Sequence, residues 1–315
     1  MSDVKAATEA ETAGWRRRFA DSDLWYSFTH SPLAMISAAF TIVFVFSSLF
    51  ANIVAPHNPF DLAQVDLFNS LLPPAWRTGG DPSFLLGTDN QGRDVFSTIL
   101  YGSRISITVG FLSVIFASII GITIGLIAGY AGGLTDSILM RIADVQLSFP
   151  AILIALLIDG VFRGILPRGV HDEVAVYVLV VAISLSFWVQ YARTVRSSVM
   201  IEKTKEYVQA GQVIGLAPRT ILFRHILPNV MGPVLVIATI QLALAIITEA
   251  TLSFLGVGVP PTQPSLGTLI RIGNDYLFSG EWWITIFPGI ALVLLVLAIN
   301  LLGDWLRDAL NPKLR

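Results

Sequence analysis

The 315-residue chain is 54% hydrophobic and 13% charged, carries a net charge of −2 and contains no cysteine. Without cysteine there are no disulfides, thiolate metal sites or cysteine nucleophiles. The apolar residues are gathered in blocks of roughly 20, the length that crosses the ~30 Å hydrocarbon core of a bilayer. This excludes an ordinary soluble domain and predicts an all-α, polytopic membrane protein with six transmembrane helices.

Residues 1–32 are polar, with Arg16, Arg17 and Arg18 ahead of an aromatic run from Trp25 to Phe28. They read as a cytoplasmic tail ending in a membrane-surface segment, because three arginines make no extended basic patch for nucleic acid. The remainder, 33–315, reads as one six-span unit. The first span is expected over Leu33–Val54, too long an apolar run for a cleaved signal peptide and so a retained anchor. A segment rich in Pro, Asn, Asp and Gly follows over 55–104. The second span, Ile105–Ala128, carries Gly121 and Gly125, with Gly129 just beyond. Their spacing puts small residues on one face and favours close helix packing.

The third span is expected over Ile138–Ile158, with Arg141 and Asp144 near its start and Pro150 inside it. Arg141 and Asp144 share a helix face, which suits a salt bridge at the membrane edge. The fourth runs over Val174–Tyr191, the fifth from Val230 to about Val257, and the sixth over Trp282–Leu302, where Trp282 and Trp283 suit an interface. With the N-terminus inside, the inner segments hold 14 of the 20 Lys and Arg residues. The positive-inside rule then predicts that 55–104 is outside the cytoplasm, and that both termini and the polar stretch 201–229 are within it.

Two short helices are expected in that polar stretch. The first runs from Thr204, in the position of an N-cap, to Ile214, and Gly215 ends it as a C′ glycine. Tyr207, Ala210, Gly211 and Ile214 fall at i, i+3, i+4 and i+7, a narrow apolar face opposite Lys205, Gln209 and Gln212. The second begins at Pro218, which suits a first helical turn, and Leu227-Pro228 is expected to stop it. Two short helices at a glycine hinge between spans read as a docking element for another protein.

These residues also carry a family resemblance. The stretch resembles the cytoplasmic coupling loop of ABC-importer permeases, whose pattern is Glu-Ala-Ala, three residues, Gly, nine residues, Ile, one residue, Leu-Pro. Ala210, Gly215, Leu227 and Pro228 match, while Gln209, Gly211 and His225 replace the glutamate, the second alanine and the isoleucine. The run Arg224–Asn229, RHILPN, is similar to the peptide and nickel branch of that family. The resemblance implies that Glu206, Gln209, Ala210, Gly211, Gly215, Arg219, Leu227 and Pro228 belong to the element that couples to an ATPase.

Other stretches resemble the same branch, from about residue 30 to the C-terminus. Leu86-Gly87-Thr88-Asp89 with Gly92-Arg93-Asp94 is similar to its GTDxxGRD signature. There the glycines permit tight turns, and Arg93 is placed to satisfy Asp89 or Asp94, a structural role. Asp136, Met140, Arg141, Asp144, Phe149 and Pro150 resemble the cytoplasmic start of its third span. Leu252–Gly258 and Pro264–Gly267 form a third match, and Gly303–Pro312 resembles the GDxLRDxLDP ending, with Asn311 for the aspartate. Glu249, a carboxylate well inside a span, has to face the bundle interior, be paired or be protonated. Two readings stay open: contact with substrate or a second permease, or a carboxyl bonded to Thr248, Thr251 or backbone.

No catalytic constellation is present. The chain has no Gly-Lys dipeptide and so no phosphate-binding P-loop, no HExxH or GxSxG stretch, and four histidines scattered along it. The resemblance implies a non-enzymatic permease of the type I ABC-importer fold in a bacterial inner membrane, importing di- or oligopeptides, with no cofactor or metal of its own. Its expected partners are a second homologous permease, two ATPase subunits carrying ATP and Mg, an extracytoplasmic binding protein, and lipid. Nickel or another small solute is the alternative cargo. A stand-alone secondary transporter would show inverted repeats and paired midplane charges, and neither is seen.

Overall fold

A computed structural model describes residues 23–61 and 65–310. The arginine run of the tail and the Asn311-Pro312 ending therefore lie outside the described residues. Those described are helical with connecting turns, and a single isolated antiparallel bridge joins Thr88 and Asp94. Among the described residues, five helices are long and apolar enough to cross a membrane, six if one bent helix pair is counted as a span.

The short α1, Asp23–Thr29, brings Phe28 edge-on to Trp305 at 5.1 Å, so the aromatic run leans on the last helix. The first span, α2, covers Pro32–Leu49; Ser31 caps it and Pro32 takes the first-turn position where no amide is needed. α3 covers Val95–Ala131, 37 residues and about 55 Å of rise. It begins ten residues before the expected span. Ser97, Thr98, Ser103 and Arg104 hide its first turns from an apolar-run reading, while Asp94 accepts from the Ser97 amide and starts it.

The third span, expected as one helix over Ile138–Ile158, is instead α4, Gly133–Leu147, and α5, Ala151–Ile165, bent by 90°. Pro150 lies between them rather than inside a helix: its ring disfavours the α region for Phe149. α6 covers Arg168–Glu202, α7 Glu206–Val213, α8 Leu227–Phe254, α9 Leu266–Asn274 and α10 Trp283–Ala309.

The core sits between α3 and α6. A Cβ added at Gly121 would lie 2.4 Å from the Trp188 carbonyl oxygen, and one at Gly125 2.6 Å from that of Ala192. At Gly129 it would lie 2.8 Å from Val199 Cβ. The glycine face thus lets two backbones touch, which is how helices associate where lipid supplies no hydrophobic drive. Val109, Ala117, Leu179, Ile183, Tyr191 and Val195 fill the rest of this seam. Ile36, Val43 and Phe46 on α2, and Ile290, Val293 and Leu297 on α10, are exposed and suit lipid.

Candidate coupling element and buried carboxylate

The insert between α6 and α8 is folded on itself. Thr204 does not cap α7: its hydroxyl donates back to Ile201 O at 2.8 Å, and Lys205 holds the cap position. Gly215 adopts φ +77°, and Gly215 and Leu216 donate to Gln212 and Gly211 carbonyls. This glycine turn sends the chain back beneath α7. Leu216 and Ile221 then pack below, with a Cβ at Gly211 placed 3.4 Å from Leu216 Cδ1 and 3.8 Å from Ile221 Cγ1.

The expected apolar face is therefore divided. Gly211 points inward beside Val208, whereas Tyr207, Ala210, Val213 and Ile214 are exposed; Val213 and Ile214 are 87% and 73% accessible. Glu206, Gln209 and Arg219 are exposed too. The long-range fold-back, not local periodicity, chose which side of α7 is covered.

Leu227-Pro228 does not stop the second helix. Pro218–Thr220 leads into a π-helical stretch, Ile221–Ile226, which runs on into α8. Leu227 N–H bonds Leu222 O, five residues back, so the wide turn accommodates Pro228, which has no N–H to give. The Asn229 side-chain amide donates to His225 O at 2.7 Å.

Polar contacts fix the insert to the spans at both ends. Glu202, the last residue of α6, accepts from Lys205 at 2.5 Å and from the Tyr207 hydroxyl. Asn229 donates to that same hydroxyl at 3.0 Å. Partial burial and then the accepting Glu202 carboxylate push the Tyr207 phenol above its ordinary pKa. Lys203 donates to Tyr130 O at 2.5 Å, tying the end of α6 to α3. Nearby, Asp136 pairs with Arg196 and Asp144 with Arg193. The expected Arg141–Asp144 bridge is not made: Arg141 is exposed, and α6 supplies the partner for Asp144.

Glu249 is fully buried inside the chain. Ser106 donates to one carboxylate oxygen at 2.6 Å and Ser253 to the other at 2.7 Å, while the Leu266 amide donates to Ser106 Oγ at 3.2 Å. The carboxylate thereby joins α3, α8 and α9. Thr248 and Thr251 are not its partners; their hydroxyls turn back to Leu244 and Ile247 carbonyls. With no exposed surface, Glu249 offers nothing to cargo or a second permease in this conformation.

The GTDxxGRD stretch folds into a cap over the start of α3. Arg93 reaches Asp89 at 2.6 Å, both buried, and Asp89 also accepts from the Gln91 and Arg93 amides. Asp94 accepts from Ser97. Gly87 and Gly92 take φ +82° and +78°, and a Cβ at Gly92 would strike Asp66 O at 2.2 Å. Residue patterns marked Thr88 and Trp283 but not their contacts: the Thr88 hydroxyl bridges Leu72 N and Asn69 O, and the Trp283 indole donates to Thr88 O at 3.0 Å.

Two of the cavities among the described residues carry polar side chains. One, about 340 Å³, lies at the α4–α5 bend and is lined by Gln146, Ser186, Gln190 and Gln241 among apolar residues. The signal for it in sequence was glutamine inside apolar runs. The other, about 400 Å³, includes Tyr101, Arg104 and Thr108 of α3. Among the described residues, no group of three or more His, Asp or Glu is arranged to hold a metal.

Comparison with known proteins places this architecture. Residues 121–315 match the family described as binding-protein-dependent transport system inner membrane component. Residues 22–74 match the N-terminal transmembrane domain of oligopeptide transport permease C, so the similarity starts before residue 30. The dipeptide transport system permease protein of Haemophilus influenzae is 38% identical over 93% of this chain and 95% of its own length. The di/tripeptide transport system permease protein of Pseudomonas aeruginosa is 39% identical over 93% and 92%. The inward-facing MetNI methionine ABC transporter superposes with a TM-score of 0.53 at 21% identity, covering 68% of this chain and 96% of the matched one. The fold is that of a type I ABC-importer permease, and the chain belongs to the family of binding-protein-dependent transport system inner membrane components.

Proposed function

We propose that this chain is one of two permease subunits of an ABC importer for short peptides, and that residues 204–229 receive the motion of the ATPases. The observation that carries this reading is the insert itself. It presents Tyr207, Ala210, Val213 and Ile214 outward, while Glu202, Tyr207 and Asn229 fix both of its ends to spans. An exposed apolar patch on a polar insert fits a partner surface, and rigid attachment at both ends is what transmission of a displacement requires.

ATP and Mg would act on the partner subunits, and an extracytoplasmic binding protein would deliver the cargo. Both termini and the insert lie in the cytoplasm in this reading, in keeping with the distribution of Lys and Arg. When the ATPases close, they push the insert and with it α6 and α8, so the path faces the binding protein and then the cytoplasm. Peptide cargo is favoured over nickel by the relatives, which carry di- and tripeptide names. The test is uptake by the importer reconstituted in vesicles with its binding protein. ATP-dependent accumulation of dialanine is expected; accumulation of nickel without dialanine would contradict the reading.

A further inference from the structure

Arg104 stands on α3 where the uncharged run that begins at Ile105 starts. Its side chain is exposed, and among the described residues it takes part in no ion pair. A guanidinium at the edge of the hydrocarbon without a counter-charge is costly. Tyr101, Arg104 and Thr108 lie at i, i+3 and i+7, one stripe of the helix. Ser106, two residues on, faces the other way to Glu249. The stripe therefore looks out of the bundle at the point where the helix interior is already satisfied.

That stripe forms one wall of the 400 Å³ cavity, within the range of about 300–1,000 Å³ that holds small ligands. Phe60, edge-on to Tyr101 at 5.4 Å, the aliphatic Ile105 and Val176, and the loop residues Thr262 and Gln263 complete it. Among the described residues, no acidic side chain lines the cavity. One fixed positive charge, hydroxyls and an amide, and an aromatic pair complement a short peptide with a free C-terminus. The guanidinium suits the carboxylate, Thr262 and Gln263 suit peptide N–H and C=O groups, and the rings suit an apolar side chain, while the Thr108 hydroxyl donates to the Arg104 carbonyl of its own helix.

We infer that Arg104 receives the C-terminal carboxylate of the peptide at the outer mouth of the path. This rests on the peptide-permease reading above, and it adds a site on this chain for the cargo as the binding protein releases it.

The test exploits the lack of cysteine in this chain. Arg104→Cys is assembled with the complete importer in vesicles, and dialanine uptake is measured with saturating loaded binding protein. Loss of a charge-assisted hydrogen bond should lower uptake about tenfold, while Arg104→Lys keeps most of it. Aminoethyl methanethiosulfonate, which restores a positive charge, should recover uptake; the neutral methyl and anionic sulfonatoethyl reagents should not. Loaded binding protein during turnover should also slow modification of the introduced thiol. Equal recovery with all three reagents would reduce Arg104 to a space-filling role and overturn the inference. Charge-dependent recovery with no slowing by cargo would assign the arginine to a lipid phosphate or the second permease, and overturn it too. If the unmodified importer moves no dialanine, the peptide reading fails first and takes this site with it.

Discussion

Tyr207 and Asn229, 22 residues apart, meet through a 3.0 Å hydrogen bond that closes the insert between α6 and α8. The same Tyr207 hydroxyl donates to Glu202, so one phenol joins the end of one span to the start of another. Tyr207 is itself exposed on the side offered to a partner.

Removing that hydroxyl should loosen coupling without emptying the assembly. Tyr207→Phe keeps the ring and loses two hydrogen bonds, each worth about 0.5–1.5 kcal/mol. Asn229→Ala removes one of the same pair and the bond to His225 O. Each variant should retain ATP hydrolysis in the purified importer while uptake falls several-fold. Because they share a partner, the double variant should fall by less than the product of the two single losses. Fully multiplicative losses would show that the two residues act separately.

Gly215 isolates a conformational cost from a steric one. Its φ is +77°, and nothing lies within 4 Å of an added Cβ. Gly215→Val should destabilise the turn by about 1–2 kcal/mol, and Gly215→Asn, which tolerates the left-handed region, by much less. Uptake in vesicles should follow that order with membrane insertion unchanged. Equal uptake by both variants would mean that the turn does not set the geometry of the element. Gly211→Trp is expected to disrupt the fold of the insert rather than block its outer face, since Gly211 faces Leu216 and Ile221.

Glu249 is a structural tie. Glu249→Gln keeps the shape and an acceptor, so assembly should survive. Glu249→Leu leaves the Ser106 and Ser253 hydroxyls buried without their acceptor, at about 1–3 kcal/mol each. Glu249→Lys adds an unpaired charge within a span. Thermal stability in detergent should fall in the order Gln, Leu, Lys. A Lys variant as stable as the parent would mean that this carboxylate does not hold α3, α8 and α9 together.

Much of this architecture was legible because the bilayer imposes it. Long apolar runs marked the spans, and the four-residue spacing of Gly121, Gly125 and Gly129 marked the α3–α6 seam. What stayed hidden depended on distant partners or on proline geometry. The bend at Pro150 and the unbroken passage through Pro228 hinge on whether neighbouring turns absorb a missing N–H, which residue type alone does not decide. The inward choice of Val208 and Gly211 depends on Leu216 folding back. The true partner of Glu249, Ser106, lies 143 residues away, so local sequence pointed to Thr248 and Thr251 instead. Arg104 was visible only as a basic residue in a loop until α3 was found to begin at Val95.

Membrane orientation has its own check. Ser70→Cys and Gln212→Cys in this cysteine-free chain should react with an impermeant thiol reagent from opposite faces. Reaction of both from one side would contradict the expectation that 55–104 is outside and 201–229 in the cytoplasm.

The central claim, that 204–229 touches the ATPases, is tested most directly by crosslinking. A photoreactive maleimide attached through Ile214→Cys, exposed just past the end of α7, is activated in the assembled importer. The expected product joins this chain to an ATPase subunit, and its yield changes when ATP is trapped in the complex. The same probe at Phe278→Cys, on the exposed turn before α10, should give no such product. Absence of the ATPase adduct at Ile214 in an importer that still hydrolyses ATP and takes up peptide would contradict the account.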